Sequence, residues 1–147
     1  MALRAGGGSA ADYTLGEKLG QGAFGVVYRA KRKRDGLACV IKQVETRRLS
    51  AQQKAEARNE VRLLRALDHP HVVRYIDTFE APGERLSIVM EHCAKGDLSQ
   101  KLKSIKVRGR RMAEPAAWKI VLQTAEALRY IHGKKQGATD RGLRGLT

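Results

Sequence analysis

The sequence predicts an α+β fold: a five-stranded antiparallel sheet, one helix inserted between its third and fourth strands, and two helices after the fifth. Three observations predict it. Residues 13–44 alternate apolar, β-branched runs with glycine-bearing turns, the pattern of an antiparallel meander. Residues 50–67 open with the spacing of a helix cap and continue with apolar residues at helical intervals. Residues 114–132 carry a longer apolar stripe of the same period.

Taken in order, residues 1–12 place Gly6, Gly7, Gly8 and Ser9 among small residues and read as a flexible leader, with no apolar stretch of signal-peptide length. Residues 13–19 read as the first strand and residues 20–25 as a glycine-rich turn. The run Gly25-Val26-Val27-Tyr28-Arg29-Ala30-Lys31 reads as the second strand, Asp35-Gly36 as a turn, and residues 37–44 as the third strand. Ser50 and Gln53 form a capping-box pair, after which Ala57, Val61, Leu64 and Leu67 share one helical face. Pro70 disfavours helical geometry at His69 and is expected to end that helix around Asp68. Residues 72–80 and 85–91 are the last two strands, joined through Ala81-Pro82-Gly83-Glu84. Gly96 precedes a short helix through Leu98 and Leu102. The last helix, over residues 114–132, has Pro115 in its first turn and lines up Trp118, Val121, Leu122, Ala125 and Leu128.

Composition narrows the function. The chain has 147 residues, 42% hydrophobic and 30% charged, enough for one ordinary globular domain. No apolar run approaches the ~20 residues that span a bilayer, so no membrane partner is expected. Two cysteines, Cys39 and Cys93, are too few for a disulfide framework or a zinc site and point to a reducing, intracellular setting. The net charge of +14 predicts attraction to polyanions. The basic stretches Lys31-Arg32-Lys33-Arg34 and residues 101–111 lack interleaved aromatics on which bases could stack, so they read as solvated faces or acidic-protein contacts, not as a nucleic-acid site.

The chemistry lies upstream. Gly20-Gln21-Gly22-Ala23-Phe24-Gly25-Val26-Val27 fits G-x-G-x-x-G-x-V. A dinucleotide-binding turn would open a helix, whereas these glycines lead into a strand; no Gly-Lys-Ser/Thr sequence marks a Walker loop. A glycine hairpin between strands can lie over nucleotide phosphates, because backbone amides then approach the anion closely. It can also be turn geometry alone. Lys42, in the otherwise apolar strand Ala38-Cys39-Val40-Ile41-Lys42, weighs against that bland alternative, since a lysine among apolar neighbours needs an anionic companion. Glu60, on the helical face between Ala57 and Leu64 where an apolar residue would be expected, is the natural partner.

The glycine loop, Lys42 and Glu60 together resemble the nucleotide-binding set of a eukaryotic protein kinase. Val40-Ile41-Lys42, Asp68-His69-Pro70-His71-Val72-Val73 and Ile88-Val89-Met90-Glu91-His92-Cys93-Ala94-Lys95-Gly96-Asp97-Leu98 resemble the NIMA-related serine/threonine kinases; Val40 stands where many kinases carry alanine. The resemblance implies a leader over 1–12, a kinase N-lobe over 13–91 (the sheet plus the helix known as αC), and the hinge and first helices of an incomplete C-lobe over 92–135. It implies ATP as the bound nucleotide and protein substrates as partners. Lys42 and Glu60 would be the catalytic pair, and Gly20, Gln21, Gly22, Ala23, Phe24 and Gly25 would cover the phosphates. Leu19, Val27 and Val40 would roof the adenine, Met90 would be the gatekeeper, the backbone of Glu91 and Cys93 would bind the adenine edge, and Asp97 would reach the ribose. Cys93 is expected to be a quiet, buried thiol. Localisation in the cytoplasm, extending to cytoskeleton, centrosome or cilium, follows from the same resemblance.

The resemblance stops after Tyr130-Ile131-His132. Residues 136–147 are a glycine-rich basic tail with no H-R-D, D-F-G or A-P-E; Asp140-Arg141 has no histidine before it and no asparagine after it. The carboxylates and asparagine that accept the substrate proton and hold Mg2+ in kinases are missing, so no metal ligand is assigned. The expected activity of the chain is weak ATP binding without phosphoryl transfer; the alternatives are a non-catalytic kinase-like interaction module and, behind it, a basic nucleic-acid binder. The stripe from Trp118 to Leu128, buried in a whole kinase, is expected to have few partners here.

Overall fold

The computed structural model describes residues 8–22, 25–47 and 49–143, with residues 135–143 described by their backbone alone. They fall into two compact units, one of residues up to 68 together with 73–92, the other of 69–72 together with residues from 93 onward.

The first unit holds β1 (Tyr13–Gly22), β2 (Gly25–Arg32), β3 (Ala38–Glu45), α1 (Ala51–Arg65), β4 (Tyr75–Ala81) and β5 (Arg85–Glu91). The strands form one antiparallel sheet in the order β1-β2-β3-β5-β4. Strand alternation divides its two faces. Cys39 and Ile41 join Tyr13, Ala30, Phe79 and Val89 in one core. The opposite face packs Leu86 and Ile88 against Val61, with Val44, Ala57 and Leu64 at the margin, and so docks α1 on the sheet. β5 lies between β3 and β4 and is covered on both faces, which is why Leu86, Ser87, Ile88 and Val89 are all buried in succession. Tyr13 ties the start of β1 to β4: its ring stacks on Phe79 at 5.6 Å and its hydroxyl donates to Asp77 at 3.2 Å. Burial, then the Asp77 carboxylate beside it, pushes the phenol up to about 12.

The Ser50/Gln53 capping box is present: the Ser50 hydroxyl accepts from the Gln53 N–H at 3.2 Å and Gln53 Oε1 accepts from the Ser50 N–H at 2.9 Å. Other boundaries differ from the sequence expectation. β1 runs through Gly22, so Gly20, Gln21 and Gly22 belong to a strand ladder and not to the expected turn. Their φ values are not positive, which leaves the extended conformation open to them. α1 ends at Arg65, ahead of Asp68, where the Ala66 N–H bonds back to Leu63 and Leu64. β4 begins at Tyr75 instead of residue 72, because the Val72 N–H is taken by the His69 carbonyl in a local turn. Residues 10–12, inside the expected leader, form a 3-10 turn capped by Ser9.

The second unit contains α2 (Leu98–Val107) and α3 (Glu114–Leu143). Asp97 caps α2, its carboxylate accepting from the Gln100 N–H at 2.7 Å. α3 continues beyond His132 through Gly133 and Gly137 and takes in residues 136–143 of the expected tail; the Asp140 side chain lies outside the described residues. α3 buries Ala127, with Ile120 and Ile131 half-buried on the same side. Against it lie residues 69–72: the His69 ring stacks on Tyr130 at 5.0 Å and His71 Nε2 stands 3.4 Å from a Glu126 carboxylate oxygen. Among the described residues no helix is long and apolar enough to cross a membrane.

Candidate functional site

The glycines of the β1–β2 hairpin answer two different needs. Gly25, paired with Gly22, has φ +132°, and a Cβ built there would run into the Gln43 carbonyl oxygen of β3. Its lack of a side chain is therefore demanded by the fold. At Gly20 and Gly22 a Cβ would meet no atom of the described residues within 4 Å, and neither has positive φ. Neither packing nor torsion requires glycine there, so the sheet leaves bare backbone along that edge. Ala23 and Phe24, between Gly22 and Gly25, lie outside the described residues.

Register carries this edge to Lys42. Gly20 pairs with Val27, Val27 with Lys42 and Lys42 with Ile88, and directly opposed residues share a face. Val40 and Met90 are paired two residues along and stand on that same face, half-buried. Lys42 Nζ lies 3.6 Å from Glu60 Oε1 on α1. The lysine side chain is 23% exposed and the glutamate 56%, so the pair is a partly hydrated one whose own contribution to stability is about 0–1 kcal/mol. It orients the ammonium more than it holds the fold together.

Gln21, Gly22, Gly25, Lys42 and Glu60 line one cleft of about 670 Å³. Its described lining includes the cations Lys42 and Arg85 and the carboxylates Glu45, Glu56 and Glu60. A polyanion entering it gains Lys42 and the bare hairpin backbone but faces three acids, which limits the affinity the chain can offer. Val27, Val40 and Met90 do not line this cleft. Leu19, at the irregularity between Lys18 and Gly20, is 44% exposed.

Two more of the expected residues have partners within the chain. The Glu91 N–H donates to the Arg74 carbonyl at 3.0 Å, and the Glu91 carboxylate accepts from the Arg74 N–H at 3.0 Å. Asp97, in the second unit, is the helix cap described above; the signal was in the sequence, since Asp97 and Gln100 have capping spacing. Cys93 is exposed, a correction to the expected buried thiol: it follows the end of β5, outside the sheet that shelters Cys39. Burial pushes the Cys39 thiol up and makes it a poor nucleophile. The tie between His71 and Glu126, 55 positions apart, left no local signal in the sequence.

Among the described residues no group of three or more His, Cys, Asp or Glu side chains could hold a metal ion. The described residues do not fit a magnesium site, and no metal-dependent step follows from them.

The protein kinase domain profile matches residues 13–139. The chain is 40% identical over 127 residues to a probable serine/threonine-protein kinase nek2 of Dictyostelium discoideum, covering 86% of this chain and 30% of that protein. It is 37% identical over 123 residues to the serine/threonine-protein kinase Nek5 of Homo sapiens (84% of this chain, 17% of the relative) and 37% identical over 124 residues to Nek4 of Mus musculus (84% and 15%). The chain thus belongs to the protein kinase domain family, and NIMA-related kinases are among its most similar relatives. It spans less than a third of the length of each of these relatives.

Proposed function

We propose that this chain is the ATP-cradling portion of a serine/threonine protein kinase, and that by itself it binds ATP weakly and transfers no phosphoryl group. The observation that carries the reading is the joint geometry of bare Gly20 and Gly22, Lys42 on the same sheet face, and Glu60 within 3.6 Å of that lysine. A glycine hairpin needed for its turn alone would require glycine at Gly25 only. In this reading Lys42 and Glu60 are the catalytic pair, Leu19, Val27 and Val40 form the apolar roof, Met90 is the gatekeeper, and the backbone of Glu91 and Cys93 binds the adenine edge. The nucleotide lobe is residues 13–91, the start of the second lobe 92–135, and 136–147 lie outside the kinase pattern; the setting is cytoplasmic or cytoskeletal. The three carboxylates of the cleft and the lack of H-R-D and D-F-G sequences support weak binding and catalytic silence. Thermal shift of the purified chain with ATP, with and without Mg2+, tests it. The expected result is a stabilisation that needs Lys42, is lost in Lys42→Met and does not need magnesium; Lys42-dependent phosphorylation by the pure chain would overturn the silence.

A second reading, a non-catalytic module that engages protein partners, is favoured by the apolar surface of α3, where Trp118 is 57% and Leu122 59% exposed. Activity of the chain measured beside the longest product of the same gene separates the two.

A further inference from the structure

α3 is apolar on both sides. Ala127, Ile120 and Ile131 turn inward, while Trp118, Val121, Leu122 and Leu128 are 57%, 53%, 59% and 48% exposed on the remaining surface, with exposed Ala125 among them. Lys119, Thr124 and Glu126 make the rest of its surface polar, so the apolar residues left in water form a stripe of the kind that marks a contact surface. The residues that bracket the exposed stripe show what covers it. Glu114 opens the helix one turn before Trp118, and its carboxylate accepts from the Trp118 indole N–H at 3.3 Å. Arg129, one turn after Ala125, closes the stripe on the same side and is exposed. The stripe therefore runs from an acid through a large aromatic, two aliphatics and a small residue to a base.

That order is self-complementary when reversed. About a point midway between Val121 and Leu122, position 114 maps onto 129, 118 onto 125, and 121 onto 122. We propose that α3 pairs antiparallel with α3 of a second copy of this chain, about a two-fold axis between Val121 and Leu122. Trp118 of each copy then packs over Ala125 of the other, large against small, and Val121 meets Leu122 at the axis. Each Glu114 faces Arg129 of the second copy at both ends, as an isologous interface requires. A parallel pair would set Glu114 against Glu114 and Arg129 against Arg129, and the axis offset would bring two Trp118 indoles together; the charge order selects the antiparallel one. The inference is independent of nucleotide binding, because none of these residues lines the cleft at Lys42.

Sedimentation equilibrium of the full chain tests it, with tryptophan emission as a local reporter, since Trp118 is the chain's one tryptophan. The expected result is a mass that rises with concentration from 16.3 kDa toward twice that value, and emission that shifts to the blue in step. Glu114→Arg or Arg129→Glu alone should weaken the pair about tenfold or more, since each sets like charges together at both ends, and the double exchange should restore it. Leu122→Glu should leave a monomer. Should Leu122→Glu fail to fold by circular dichroism, the charge exchange still decides, because a merely structural role at either end would not produce rescue. A monomer at every concentration, an assembly larger than two, or a dimer indifferent to the charge exchange would each overturn the proposal.

Discussion

The two units use the same apolar residue types and treat them in opposite ways. In the sheet, Cys39, Ile41, Ile88 and Val89 are no more than 2% exposed, because two faces of one sheet are each covered, one by residues of β1, β2 and β4 and the other by α1. In the helical unit, Leu98, Leu102, Trp118, Val121, Leu122 and Leu128 stand 44–59% exposed. The difference is one of topology. A five-stranded sheet with a helix on it closes its core with local and next-strand contacts, whereas two helices offer more apolar surface than two helices can cover. The unit that carries Lys42 and Glu60 is thus the one whose described side chains close a core, and the helical unit leaves its apolar stripe exposed among the described residues.

The largest effect that could break this contrast is core truncation. Ile41→Ala should cost about 2–5 kcal/mol, the range for a buried aliphatic replaced by alanine, while Leu102→Ala in α2 should fall within about 0.5 kcal/mol of the parent. Urea unfolding followed by circular dichroism measures both. Equal losses would mean that the helical unit is as tightly covered as the sheet.

Glycine substitution sharpens the comparison within the first unit. Gly25→Ala meets both a positive φ and the Gln43 carbonyl, and should destabilise by more than about 1 kcal/mol. Gly22→Ala meets neither; it should leave the urea midpoint unchanged or slightly raised, yet weaken the ATP-dependent thermal shift. Loss of stability at Gly22 would return that residue to turn geometry and remove the argument for a phosphate cradle.

Much of this was legible in the sequence, and the failures have physical causes. β-branched runs placed β2, β3 and β5 within a residue or two, and the Ser50/Gln53 spacing placed the start of α1. Lys42 and Glu60 were readable because a charged side chain interrupted an apolar pattern at each position. Gly20 and Gly22 were read as turn although extended φ lets glycine pair in a ladder. The last helix is expected to end at His132, but glycine inside a helix costs only about 1 kcal/mol and α3 continues through Gly133 and Gly137. The stacking of His69 on Tyr130 and the hydrogen bond from Tyr13 to Asp77 join residues about sixty positions apart, which no local pattern encodes.

The smallest expected effect belongs to the β2–β3 turn and carries a pH signature. Asp35 accepts from Arg32 Nε–H and Nη2–H, one edge of the guanidinium, at 3.0 and 2.6 Å, and from the Leu37 N–H at 3.1 Å. The Arg32 guanidinium first, then that backbone N–H, hold its carboxyl down to about 2 from the usual 3.8. A carboxyl lowered by folding adds stability that is fully present above its unfolded value of 3.8 and is lost as pH falls through about 2. Asp35→Asn cannot gain this increment, so its melting temperature should lie slightly below the parent's above pH 4, and the two should converge as the pH approaches 2. Thermal melts in steps between pH 2 and pH 6 read the difference. Parallel curves across that window would show that the Arg32–Asp35 contact holds the turn's shape without adding to the stability of the sheet.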